Sequence, residues 1–150
     1  MRNAFRMPGG AAEAEIVEKK SRFIAAVAPV TAEAEALTFL RERRGMFPDA
    51  RHHVYAYSVD SDNGSHVRFS DDGEPQGIGG LTVLGIIRKR GLSNLVVVVT
   101  RYFGGILLGA PGLTRAYASA AAACLDSSGV AEMRYCREFE ITADYSDSGK

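Results

Sequence analysis

The sequence predicts an α+β domain, a mixed sheet with helices packed on one face. Three observations carry this. The unbroken β-branched run Leu95–Thr100 predicts a strand covered on both of its faces. Leu113, Ala116, Tyr117, Ala120, Ala121, Cys124 and Leu125 form one apolar stripe at helical spacing, ended by Gly129. Shorter strand-like and helix-like runs, separated by turn residues, fill the rest in the order ββ–α–ββ–α–β–α–β(β). No internal repeat, low-complexity tract or heptad pattern competes with them.

Residues 1–12 lack periodicity and are broken by Pro8-Gly9-Gly10, so they are expected to be a loose N-terminal arm. Ala14–Glu18 and Arg22–Val27 read as a hairpin turning at Lys19-Lys20-Ser21. Thr31 is placed to cap a helix running to about Arg44, with Gly45 as its stop. Glu33 and Glu35 lie early in that helix and Arg41, Arg43 and Arg44 late, an order that complements the dipole and predicts a solvated face. Val54–Val59 and His66–Ser70 form a second hairpin across the polar turn 60–65. A turn over 71–80 leads into Ile78, Leu81, Leu84 and Ile86, which recur at helical spacing in a segment reaching Arg90. Glycine in a helix interior costs roughly 1 kcal/mol against alanine, so the glycines there suggest close packing or close approach by another chain. After the long helix, Val130–Arg134 and Arg137–Ala143 are expected strands, and 144–150 a polar turn.

Composition limits the functional classes. Lys+Arg and Asp+Glu stand at 18 each, which argues against coating nucleic acid through bulk charge but leaves a local basic patch open. Two cysteines, Cys124 and Cys136, are too few for a disulfide framework, and Cys124 falls on the apolar helix stripe. No apolar run resembles a signal peptide or is long enough to cross a bilayer, so a cytoplasmic protein without membrane partners is expected.

Two segments have the makings of a site. Thr100-Arg101-Tyr102-Phe103-Gly104-Gly105 leads from the buried strand through Gly109 and Gly112 towards a helix opening behind Gly112. Glycines admit close backbone approach, and unpaired N–H groups at a helix start attract anions. Arg101 and Arg115 are spaced to reach the same anion. The segment is neither a Walker A loop nor a dinucleotide fingerprint, and a tight turn with salt-bridged arginines explains it equally well. The other segment, Asp71-Asp72-Gly73-Glu74, sets three carboxylates within four residues. They would suit Mg²⁺ or acid–base chemistry, or else cap the following helix and pair with Arg101 and Arg115. His52 and His53 point to opposite faces of a strand, so only one can serve a site, and zinc is not expected. No nucleophile elbow or exposed thiol is present, so no catalytic residue and no cofactor are assigned.

Four stretches identify the chain as resembling the IMPACT family, also called the YigZ family (uncharacterised protein family 0029), through its IMPACT N-terminal domain. They are residues 20–25, 53–57, 69–77 (Phe-Ser-Asp-Asp-Gly-Glu-Pro-Gln-Gly) and 98–109 with Arg115-Ala116-Tyr117. The resemblance implies a ribosomal protein S5 domain 2-like fold over residues 13–134. It also implies that residues 135–150 begin a ferredoxin-like second domain, and that bacterial members bind nucleic acid or the ribosome. Leu107 stands where many members carry Lys, and Pro111 where Gly is common, which removes a charge and a backbone donor from the loop.

The leading reading is therefore a non-enzymatic, translation-associated regulator binding RNA or a ribosomal surface. Arg101, Tyr102 and Arg115 would contact it, Gly104, Gly105 and Gly112 would shape the loop, and Asp71, Asp72 and Glu74 would position the arginines. An enzyme on a phosphorylated or nucleotide substrate is the alternative, with Mg²⁺ at the acidic turn and His53 as acid or base. A protein-interaction module recruiting a partner through the edge strand 137–143 is the third.

Overall fold

The computed structural model describes residues 4–61, 64–135 and 141–145. Its main sheet has five strands: β2 (Ala12–Glu18), β3 (Ser21–Pro29), β4 (His52–Ser61), β5 (Gly64–Ser70) and β6 (Leu95–Tyr102). They lie in the order β2-β3-β6-β4-β5, and every neighbouring pair is antiparallel. The expected mixed sheet is thus corrected. β3 and β4 do run parallel to each other, because a crossover through helix α1 (Glu33–Met46) joins them. They are not neighbours, however: β6 lies between them and runs against both.

The helices cover both faces, not one. α2 (Gly80–Lys89) and α3 (Gly109–Ser128) bury Phe23, Ala25, Val27, Val54, Ala56, Val97 and Val99. On the other face α1 packs Ala36 and Leu40 against Tyr57, Val59, Val96 and Val98. Alternate residues of β6 therefore belong to two different cores, as its double-sided apolar run demands. All seven residues of the predicted α3 stripe are buried, and Gly129 closes that helix at φ +67°.

Local chemistry departs from expectation at three places. α1 continues through Gly45 to Met46, and Thr31 does not cap it. Instead the Glu35 carboxylate turns back to accept from the Thr31 N–H at 2.6 Å and its hydroxyl at 3.2 Å. Arg43 is no solvated end charge: its side chain is 7% exposed and lies 2.6 Å from Glu13 Oε2. Within the expected N-terminal arm, residues Ala4–Pro8 form a strand, β1, paired antiparallel with β7 (Val130–Tyr135). β7 pairs in turn with β8 (Ile141–Tyr145), which holds residues 141–143 of the expected strand 137–143 and continues through 144–145, where a polar turn was expected; residues 137–140 fall outside the described residues. Phe5, Met7 and Ala131 form the small core of this second sheet, which explains why a short apolar alternation was enough to order the segment.

Candidate functional site at the loop end of the sheet

Strand parity decides where the motif residues go. Leu95, Val97 and Val99 face α2 and α3, so Arg101, two residues further on, faces the same way. It is 5% exposed. Its Nη1 donates to both oxygens of Glu74, at 3.0 and 2.8 Å. The Tyr117 hydroxyl, from α3, donates to the same carboxylate. Burial, then the Glu74 contact, raises the Tyr117 pKa, so the phenol keeps its proton. The Phe23 and Phe103 rings lie 5.5 and 5.8 Å from the guanidinium carbon, and Arg101 Nε finds no acceptor among the described residues.

His52 completes this cluster. Its Nδ1 lies 2.8 Å from the Asp72 carbonyl, which can only accept, so Nδ1 carries a hydrogen. Its Nε2 is 3.5 Å from Glu74 Oε1. His53, the histidine singled out from the sequence, faces the opposite side. There its Nδ1 meets Thr100 Oγ1 at 3.1 Å, and burial lowers its pKa. Parity was the available signal: His52, not His53, shares the face of Val54 and Ala56.

The acidic turn divides into three separate tasks. Asp71 accepts from the N–H groups of Gly77, Gly79 and Gly80 at 2.9, 3.1 and 2.8 Å, closing the start of α2. Asp72 accepts from the His53 N–H at 2.7 Å, while Arg44 stands 3.9 Å away. Glu74 holds Arg101. No three potential metal-ligating side chains converge among the described residues. Gly80 makes this packing possible, since a Cβ there would sit 2.6 Å from the Ser70 carbonyl oxygen.

The glycine loop, residues 103–108, lies just past the end of β6. The Gly104 N–H donates to Ser21 Oγ at 3.1 Å, and a Cβ at 104 would lie 2.1 Å from the backbone of Lys20. The Lys19-Lys20 turn is thereby held against the loop. Gly105 has φ +88°, a conformation that favours glycine. Gly112 lies inside the first turns of α3, which opens at Gly109 rather than behind Gly112. Tyr102 donates to Asp49 at 2.8 Å and lies beneath the Arg22 guanidinium, 5.4 Å from its ring centre. Phe103, Ile106 and Leu107 are exposed, Leu107 by 81%. The Arg51 guanidinium lies 5.3 Å from the Phe103 ring centre. Arg115 is exposed and unpaired among the described residues, and α3 has no acidic residue in its first turn.

Arg101 and Arg115 therefore do not converge on one anion: one is clamped inside and the other faces solvent. Cys124 is buried, and burial pushes its thiol up to about 12, as expected of an inert core cysteine.

An antiparallel five-stranded sheet with α1 on one face and α2 and α3 on the other defines the class, the Impact N-terminal domain, whose family model matches residues 19–125. The chain belongs to the IMPACT family. It is 41% identical over 140 residues to the IMPACT family member YvyE of Bacillus subtilis, covering 93% of this chain and 64% of YvyE. A hypothetical protein of known crystal structure superposes with a TM-score of 0.83 at 33% identity, over 89% of this chain and 66% of that one. The two-domain translational regulator Yih1 superposes with a TM-score of 0.51 at 28% identity, over 76% of this chain and 45% of Yih1. The chain thus spans about half to two thirds of the length of these relatives. No helix among the described residues is long and apolar enough to cross a membrane.

Proposed function

We propose that this chain is a non-enzymatic, translation-associated regulator that docks on RNA of a ribosomal surface through the loop end of its sheet. The observation that carries the reading is the exposed Phe103 with the Arg51 guanidinium across its ring. Arg115, exposed and unpaired among the described residues, adds charge early in α3, the helix that follows the loop. An exposed guanidinium plane backed by an aromatic ring offers stacking to an unpaired base and charge to its phosphates. Lys19 and Lys20, held against Gly104, extend the positive rim, and Ile106 and Leu107 extend the apolar tip. Tyr102 and Gly105 shape this surface, while Arg101 and Glu74 act behind it as positioning residues. The likeness to a translational regulator supports the same direction.

The carboxylates of the acidic turn all serve the fold, so no observation favours the magnesium-dependent alternative. The test is fluorescence anisotropy with short single-stranded and duplex RNA over a salt series. Single-stranded binding should weaken with salt. Arg51→Ala/Arg115→Ala should reduce the single-strand salt slope by about 0.7 for each phosphate that the wild-type arginines neutralise. Absence of binding at low salt would overturn the RNA reading and leave a protein surface as the object of docking.

A further inference from the structure

The opposite end of the molecule carries a second basic surface that the loop end does not explain. β6 separates the two, since Leu92 precedes it and the glycine loop follows it. Eight extended residues put them roughly 25 Å apart. At this far end the last turns of α2 and α3, β1 and the start of β7 enclose a cavity of about 420 Å³. Arg6, Arg88, Lys89 and Arg90 line it against a single carboxylate, Asp126. That excess stands out in a chain whose charges balance at 18 each.

Basic residues ending a helix usually answer its dipole, and Arg88 and Lys89 are so placed on α2. Arg6 is not on that helix. The N-terminal strand brings it there: Arg6 bridges to Leu92, and its carbonyl accepts from the Ser93 N–H at 2.8 Å. Its Nη1 donates to the Arg90 carbonyl at 3.0 Å, passing over Gly91, where a Cβ would lie 3.7 Å from the guanidinium. The carboxylate is already neutralised, with Arg90 Nη1 2.6 Å from Asp126 Oδ1. The Arg88 and Lys89 side chains are exposed and make no hydrogen bond or ion pair among the described residues. The floor is apolar, from Leu92, Leu125 and Val130.

We infer that this cavity binds a phosphate ester of nucleotide size. Its phosphate would be taken by Arg88, Lys89 and Arg6, and its apolar body would rest on Leu92 and Leu125. The volume falls within the range of small-molecule sites, about 300–1,000 Å³, and guanidinium groups suit phosphate oxygens. The inference is independent of the loop-end reading, and either can fail alone.

Titration of the ¹⁵N-labelled chain with adenosine monophosphate, adenosine and a short single-stranded RNA tests it. Adenosine monophosphate should shift the Gly91 and Gly129 amide resonances saturably, whereas adenosine should not. The exposed-site variant Arg88→Gln/Lys89→Gln should weaken that binding at least about tenfold, a loss of 1.4 kcal/mol. Arg115→Ala should leave it unchanged. The same resonances moved by RNA at lower concentration would assign the phosphate to a polymer; the mononucleotide alone would assign it to a free ligand. No shift with any of the three at low salt, or shifts that survive Arg88→Gln/Lys89→Gln, would overturn the proposal.

Discussion

Two regions only a few residues apart in sequence do opposite things. Arg101 is sealed between Glu74, Phe23 and Phe103, whereas Leu107, six residues on, is 81% exposed. The sequence motif runs through both without a break, which invites reading them as one site. Backbone geometry divides them: a strand of fixed parity delivers Arg101 to the core side, whereas the loop that follows is held by the β2–β3 turn only at Gly104 among the described residues and leaves Ile106 and Leu107 exposed. Proximity in sequence therefore says little about shared function where a strand ends.

Breaking the buried half should produce the largest effect. Glu74→Ala would leave a buried guanidinium without its counter-charge, and a loss of about 3–5 kcal/mol is expected in urea unfolding. The apolar double variant Glu74→Leu/Arg101→Met should recover much of it. A small loss from Glu74→Ala alone would show that the ion pair is not what holds this end together.

Gly104→Ala tests the hinge between the two regions. Its methyl would press on the Lys20 backbone, and a destabilisation of about 1–3 kcal/mol is expected from thermal or urea melts. Wild-type stability would mean the β2–β3 turn yields easily.

A gentler effect concerns pH. His53 has a folded-state pKa below its ordinary 6.5, because burial disfavours the imidazolium. The unfolded chain then binds the proton more readily, so this residue's contribution is complete above 6.5 and is lost as pH falls from there to the lower folded-state pKa. Unfolding curves between pH 5 and pH 8, on the order of the ordinary histidine range, should steepen in their pH dependence for the wild type relative to His53→Gln. Parallel slopes would remove His53 as the source.

The smallest stability change belongs to the exposed half. Leu107→Ser should leave the unfolding free energy within about 0.5 kcal/mol while weakening the proposed RNA binding. A clear loss of stability would show that the loop packs in solution and that the two regions are less distinct than their exposures indicate.

Much of this was legible. The double-sided run of β6 and the α3 stripe are simple periodicities, and both appear in the structure with the expected residues buried. The same β6 run already implies cover on both faces, yet nothing in α1 itself says which side of the sheet its crossover takes. The antiparallel order is hidden for a related reason: only the later β6 reveals that a gap is left between β3 and β4. At the site, the acidic turn and glycine loop stand out, but Asp71, Asp72 and Glu74 look alike in sequence and differ only in direction. The His52 assignment was within reach of strand parity. Arg6 was not, since it depends on a pairing across more than 100 positions, on the order of the whole chain.

The pairing of β1 with β7 has a consequence for how the protein is made. Ala4–Pro8 leave the ribosome long before Val130–Tyr135 exist to receive them. At typical synthesis rates of about 5–20 residues per second, Phe5 and Met7 wait roughly 6–25 s with their apolar surface uncovered. Whatever the nascent chain meets in that interval meets this segment while it still lacks its partner strand.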